Sequence, residues 1–274
     1  MRVLFIGDVF GGIGRRILAE RLKSLRQELS IDVCIANGEN AAGGRGISTA
    51  IAKKFRKYGV DVITGGNHSF ANQEGYKALQ EGEHTLRPLN YPEGNIGKGS
   101  TIYTLGDGRK IAVVNLQGRT FFSEKLECPF RKGLEAVEAL REHTHTILID
   151  FHAEATAEKK ALFFYLDGKV SALVGTHTHV QTADEMISAQ GTAFLTDVGF
   201  TGAADSAIGM KQEPVIRHFL LQTFVRYEPA HEGPTINAAC IDIDDATGKA
   251  RAIARISERI TFQGTGEDPD EATD

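Results

Sequence analysis

Cysteine is scarce in this chain: there are three, Cys34, Cys128 and Cys240, an odd number with no CxxC spacing. That excludes a disulfide-stapled framework and fits a reducing cytoplasm. Long apolar runs are missing too, since no stretch approaches the ~20 residues that a membrane-spanning helix requires. The amino-terminal residues carry no basic leader followed by an apolar segment of about 7–15 residues, so no secretory signal is expected. There is no excess of basic charge. The formal net charge is -5, which argues against an extensive nucleic-acid surface but leaves room for a local basic pocket around one phosphate. No internal repeat and no Pro-rich linker divides the chain. The expectation is a soluble cytoplasmic protein with no membrane attachment, its oligomeric state open and a homo-oligomer allowed.

What the chain does have is ordinary globular material: 41% hydrophobic and 24% charged residues, with 30 glycines pointing to many tight turns around a sheet. The first third alternates strand and helix patterns. Strands are expected over 2–7, 31–36 and 60–64, with helices over 14–29 and 48–58 between them, a βαβαβ opening that predicts a parallel sheet. Extended segments over 100–105 and 110–116 flank Asp107-Gly108, a hairpin signal. Helices over 131–142 and 155–165 then alternate with strands over 146–151 and 170–175. Segments 235–243 and 250–260 read as a second hairpin. The expected fold class is α/β, a single domain over 1–263 with two packed sheets and helices outside. Residues 264–274, acidic and nearly devoid of apolar side chains, read as a disordered tail.

Five polar clusters each follow an apolar run: Asp8, Glu39-Asn40, Asn67-His68, His152 and His177-Thr178-His179. In α/β sheets, sites gather at the carboxyl ends of parallel strands, so clusters far apart in sequence can converge on one crevice. Asp8 precedes Gly12-x-Gly14, but Ile17 stands where a dinucleotide fingerprint needs its third glycine, and a carboxylate there repels a pyrophosphate. A metal ligand fits Asp8 better. Glu39, taken alone a turn residue, has two oxygens that can bridge two cations. Asn67 offers a neutral amide oxygen, and His68 a proton.

The nine histidines contain an internal control, because His-Thr-His occurs twice. His143-Thr144-His145 precedes its strand, whereas His177-Thr178-His179 follows its own. Only the second lies at the functional end. His68, His152, His177 and His179 therefore form the candidate set, and His84, His143, His145, His218 and His231 receive no role. If the segment after the strand stays extended, His177 and His179 point to the same side and each can hold one of two neighbouring ions. Oxygen and imidazole donors without thiolate suit Mn, Fe or Zn. Thr201, Gly202 and Ser206 are candidate liners of a phosphate pocket in the 199–210 stretch.

In order, Asp8, Gly38-Glu39-Asn40, Gly66-Asn67-His68, His152 and Gly175-Thr176-His177-Thr178-His179 resemble the calcineurin-like metallophosphoesterases. Their pattern is Asp-x-His, Gly-Asp, Gly-Asn-His, a lone His and Gly-His-x-His. Here Val9-Phe10 replaces the x-His after the first Asp, and Glu39 replaces the bridging Asp. Those departures, with Asp197-Val198-Gly199-Phe200-Thr201-Gly202, resemble the YmdB-type branch of bacterial cyclic-nucleotide phosphodiesterases. The resemblance implies a metallophosphoesterase-type sandwich of two mixed β-sheets flanked by helices, with two divalent ions, Fe or Mn. It implies one ion on Asp8, Glu39, Asn40 and His179, and the other on Glu39, Asn67, His152 and His177. The expected reaction is attack of a metal-bridging hydroxide on a 2′,3′- or 3′,5′-cyclic nucleotide, with His68 as general acid. The rival readings are a phosphomonoesterase or nucleotidase with the same site, and a regulatory metal-binding protein acting through a protein or RNA partner.

Overall fold

The computed structural model describes residues 1–262. In chain order the elements are β1 (Arg2–Ile6), β2 (Asp8–Val9), α1 (Gly11–Glu28), β3 (Val33–Asn37), α2 (Thr49–Tyr58), β4 (Val62–Thr64) and α3 (Gln73–Glu81). There follow β5 (Ser100–Thr104), β6 (Lys110–Gln117), α4 (Pro129–Arg141), β7 (Ile147–His152), α5 (Thr156–Leu166) and β8 (Ala172–Thr176). The chain continues through β9 (Met186–Ile187), β10 (Ala193–Leu195), β11 (Phe200–Ala203), α6 (Gln212–Leu221), β12 (Pro234–Ile243) and β13 (Ala250–Arg259). Among the described residues no helix is long and apolar enough to cross a membrane.

Two mixed sheets result. The first runs β2-β11-β12-β1-β3-β4 with β13 paired on β12, and the second runs β5-β6-β7-β8-β10-β9. β1, β3 and β4 are mutually parallel, as are β6, β7, β8 and β10. Strand alternation explains how the layers stack. Val3 and Phe5 face the second sheet together with Val113, Leu148 and Val174, while Leu4 and Ile6 turn outward onto α1 residues such as Ile17 and Leu22. On the far side Val114, Ile149 and Leu173 pack against Leu162 and Leu166 of α5. Strands buried on both faces read as unbroken apolar runs, which is why they stand out in the sequence.

The expected strands and helices appear within a few residues of their anticipated limits, and local chemistry sets several of those limits. Ser48 caps α2 by accepting from the Ile51 amide, and Gly59 closes it in the left-handed region at φ 109°. α1 begins at Gly11, three residues earlier than its apolar spacing indicates, so that the helix starts directly after the Asp8 strand. The carboxyl-terminal hairpin forms, but it does more than close the chain: β12 lies antiparallel beside β1 in the middle of the first sheet. α3 and α6, and the short strands β2, β9, β10 and β11, are additions to the expected elements. α3 is a nine-residue helix with three buried residues, too short and polar for its periodicity to stand out. The expected disordered tail lies outside the described residues.

At the end of β1 the chain steps sideways to pair with β11, and Gly7 permits it. The Gly7 amide donates to Asn237 O at 3.0 Å, and the Asp8 amide donates to Gly199 O at 3.1 Å. A Cβ on Gly7 overlaps the Gly199 carbonyl. Gly7→Ala therefore forces apart the two segments that carry Asp8 and Asp197, and it is expected to cost ~1–3 kcal/mol, the usual penalty of overpacking. Urea denaturation measures this; a variant as stable as the parent shows that the close approach relaxes freely.

Candidate metal centre

All five polar clusters meet at the carboxyl ends of the parallel strands. His152 ends β7, and its Nε2 lies 3.0 Å from Asn67 Oδ1, 3.0 Å from His177 Nδ1 and 3.1 Å from Glu39 Oε1. Glu39, His152 and His177 offer ligand atoms that all lie within 4.8 Å of one another. The Glu39 carboxylate is fixed from behind, Oε2 accepting the His68 amide at 3.1 Å. Gly66 makes room for this: a Cβ there overlaps Glu39 Oε2 and His152 Nε2.

The protonation of His152 follows from its neighbours. Thr176 Oγ1 donates to Asp150 Oδ1 at 2.7 Å, so it accepts from His152 Nδ1 at 2.9 Å. Neutral His152 thus carries its hydrogen on Nδ1, and its Nε2 lone pair faces three further acceptor atoms. No arrangement of one proton satisfies all four. Bonds of ~2.1 Å to one cation place neighbouring donors roughly 3.0–3.4 Å apart, so these atoms fit a cation.

A second group lies beside the first. Asp8 is fully buried, with Oδ2 accepting the His177 amide at 3.1 Å and Oδ1 left without any hydrogen-bond partner. His179 Nδ1 donates to Ile208 O at 2.9 Å, which leaves Nε2 as the lone pair, 3.2 Å from Asn40 Oδ1. The Asn40 amide nitrogen is engaged by Gly44 O at 3.0 Å, which turns its oxygen inward. The His179 ring stacks on Phe200 at 5.3 Å between centroids, with Phe10 edge-on at 5.7 Å.

Electrostatics point the same way. Burial, more than any neighbour, raises the Asp8 carboxyl well above its ordinary value, with Glu39 and Asp197 adding to the rise and His152 opposing it. Burial disfavours charge on His152 as well, but Glu39 and Asp8 outweigh it and raise the imidazole to about 9. Burial also opposes ionisation of Glu39, yet His152 and the His68 amide bring it down to about 2. Burial and the neighbouring His152 hold His177 down at about 3, and burial lowers His179. His177 and His179 are therefore neutral donors at neutral pH, and the cluster without a cation retains a proton on His152.

Several expectations need correction. His177 and His179 do not continue an extended strand: β8 stops at Thr176, and both residues adopt left-handed backbone, φ 100° and 64°. They reach different donor groups because the chain turns, not because it alternates. Thr201, Gly202 and Ser206 are not among the residues that line the cavity beside the cluster; the two hydroxyls donate to Asn237 O and Ala203 O, and Gly202 is a residue of β11. Their neighbours Ala207 and Ile208 reach the cavity beside the cluster instead. His218, given no role by sequence, also lines that cavity. His84 pairs with Thr101 Oγ1 at 2.8 Å, and His143 lines a separate cavity with Lys110 and Thr144 at the opposite end of the strands.

The supporting groups escape sequence reasoning. Asp150 accepts from Asn37 Nδ2 at 3.0 Å and from the Thr64 and Thr176 hydroxyls, and its one signal is a lone acid inside the apolar run of β7. Lys159 Nζ meets Asp197 Oδ2 at 2.8 Å with both side chains fully buried. That oxygen also accepts the Thr178 amide at 3.1 Å, which holds the loop between His177 and His179. Glu154 Oε2 lies 3.3 Å from His177 Nε2 and orients that ring from outside.

Known proteins resemble this chain over nearly its full length. The chain is 46% identical over 256 residues to a 2′,3′-cyclic-nucleotide 2′-phosphodiesterase of Bacillus subtilis strain 168, covering 93% of this chain and 96% of that one. A crystal structure of a hypothetical protein from Thermus thermophilus superposes with a TM-score of 0.88 at 39% identity, covering 94% of this chain and 99% of that one. A crystal structure of a novel phosphatase from Mycoplasma pneumoniae gives a TM-score of 0.89 at 32% identity, covering 94% and 93%. The family of YmdB-like proteins matches residues 4–256. With that match spanning residues 4–256, the chain belongs to the YmdB-like branch of the calcineurin-like metallophosphoesterases.

Proposed function

We propose that the chain is a metal-dependent phosphodiesterase that hydrolyses cyclic nucleotides, 2′,3′-, 3′,5′- or both. The observation that carries this reading is the convergence of Glu39 Oε1, Asn67 Oδ1 and His177 Nδ1 on His152 Nε2, a set of oxygen and imidazole donors that suits a divalent cation. The 46%-identical Bacillus protein, named for cyclic-nucleotide hydrolysis, supports the substrate class. The finer assignment is two ions, Fe or Mn. Glu39, Asn67, His152 and His177 would hold one, and Asp8, Glu39, Asn40 and His179 would hold the other. The orphaned Asp8 oxygen and the Nε2 lone pair of His179 support the second site. When bound, the ions supply an activated water and neutralise charge on the phosphoryl oxygens.

The remaining steps belong to side chains. His68 lines the cavity with His177 and His179, its backbone held by Glu39. Burial lowers its imidazole below the ordinary value, which favours the neutral form. A phosphodiester anion beside it favours the protonated form, and the ring gives that proton to the ribose oxygen as its bond to phosphorus breaks. Single-domain organisation belongs to the same proposal, because the inter-sheet core draws Val3, Val113 and Ile241 from distant parts of the chain. A cytoplasmic location is supported by the free thiols of Cys34, Cys128 and Cys240. The Mycoplasma relative, described as a phosphatase, favours monoester hydrolysis as the second reading. Assay of cyclic nucleotides against nucleoside monophosphates and aryl phosphates decides between them.

Glu39→Gln is expected to lower metal content and turnover together, read by elemental analysis and assay; full metal content with normal turnover removes Glu39 from the site. His68→Ala is expected to keep the metal and slow turnover by about 10²–10⁴-fold. Loss of metal in that variant makes His68 a ligand instead. Metal binding displaces the His152 proton, so affinity should rise with pH from neutrality to about 9 and level off above it. Calorimetry in two buffers of different ionisation enthalpy reads the released proton, and buffer-independent heats contradict the assignment.

A further inference from the structure

A cavity of about 840 Å³ opens beside the metal centre. Glu39, Asn40, His68, His177 and His179 form one wall, and the opposite wall comes from α6 and the segment after it. This second wall is a flap closed at its neck. The Lys211 amide donates to Glu228 O at 2.8 Å, Lys211 Nζ pairs with Glu228 Oε2 at 2.6 Å, and Met210 bridges to Pro229. Gln222 takes φ 52° and reverses the chain, so that the segment through Phe224 and Tyr227 runs back from the helix end. His218 holds the reversal, its Nδ1 donating to Thr223 O at 2.8 Å and its ring meeting Phe219 and Tyr227 edge-on at 5.7 and 5.9 Å.

The flap breaks the usual logic of burial. None of α6 is buried, while Phe219 is 70% and Phe224 94% exposed, and both rings line the cavity. Apolar rings left in water, contiguous with a polar centre, mark a surface that a ligand covers. Arg45 also lines this cavity, close enough for its charge to be felt at His68. Arg45 and the acceptor-rich cluster thus sit at the phosphate side, and the flap wall carries the rings of Phe219, Phe224 and Tyr227 together with Arg226. That polarity matches a nucleotide, an anionic phosphoester carrying a flat apolar base, and the volume suits a ligand of that size, within the ~300–1,000 Å³ of small-molecule sites.

We propose that the flap over 211–228 is a nucleobase platform, with Phe219 and Phe224 stacking on the base of the nucleotide whose phosphate is hydrolysed at the metal centre. The proposal rests on the phosphodiesterase reading above and deepens it. Stacking reads the face of a base and not its edge, so the platform accepts purines and pyrimidines alike.

The test is the double variant F219A/F224A, loaded with metal and compared with the parent. Two substrates are used: 2′,3′-cyclic AMP and the base-free methyl riboside 2′,3′-cyclic phosphate. The preference for the nucleotide, taken as the ratio of the two KM values, is expected to fall about 10–100-fold, the scale of losing aromatic stacking on one base. Metal content should not change. An unaltered ratio overturns the platform. So does a change in assembly mass by light scattering with the ratio intact, which makes the rings a contact between copies. If the parent hydrolyses neither compound, the phosphodiesterase reading fails on its own, and equilibrium dialysis with AMP still decides the platform. Saturable binding lost in the double variant supports it; equal binding, or none to the parent, overturns it.

Discussion

The centre depends on one buried carboxylate. Asp150 sits fully buried on β7 and accepts hydrogen bonds from Asn37 and Thr64 of the first sheet and from Thr176 of its own. A carboxylate out of water is costly unless its lone pairs are met, and here donors from both sheets meet them. Burial still raises its ionisation point, although His152 and these hydrogen bonds oppose the rise. The same bonds lock the two sheets together at their carboxyl ends. Because the Thr176 hydroxyl is committed to Asp150, its oxygen must accept from His152, and the His152 lone pair turns inward.

A second buried pair works on the loop that follows. Lys159 and Asp197 neutralise one another without solvent, and Asp197 uses both oxygens on backbone, taking the Thr178 amide and the Gly199 amide at 2.8 Å. Removing one partner of such a pair commonly costs about 3–5 kcal/mol, because the other charge is stranded. The protein keeps it and gains position. His177 and His179 occupy left-handed backbone that non-glycine residues avoid, and strain of this kind survives only where surrounding contacts over-determine it. The Asp8 carboxylate and the Asp197 carboxylate supply such contacts, taking the His177 and Thr178 amides.

The site therefore divides into two parts of different character. The clustered donors stand on strand ends and on turns tied by buried bonds. The wall facing them is a neck-closed flap with exposed rings, joined to the body by few contacts. In the proposal above, choice of substrate falls to the flap, where a sequence can change without disturbing the sheets.

Much of this is legible in the sequence, and for a definite reason. Strands buried on both faces leave apolar runs, and a polar residue just after such a run is costly unless it faces a site, so Asp8, Glu39, Asn67, His152 and His177 can be picked out by position alone. The same rule separates the two His-Thr-His copies. The resemblance to metallophosphoesterases adds the division into two ligand sets. The polar partners are not legible. Asp150, Asn37 and Thr64 lie within strands whose pattern reports burial and not which distant residue they face, and Lys159 looks like any helix-surface lysine. Nor does local periodicity tell that β12 inserts beside β1, that the segment after β8 turns left-handed, or that His218 belongs to the cavity. Short-range spacing and burial suffice to define the main strands, their order along the chain and the donors at their ends. Which lone pairs face one another is settled only when the sheets pack, because it depends on residues more than a hundred positions apart, such as Asn37 and Asp150.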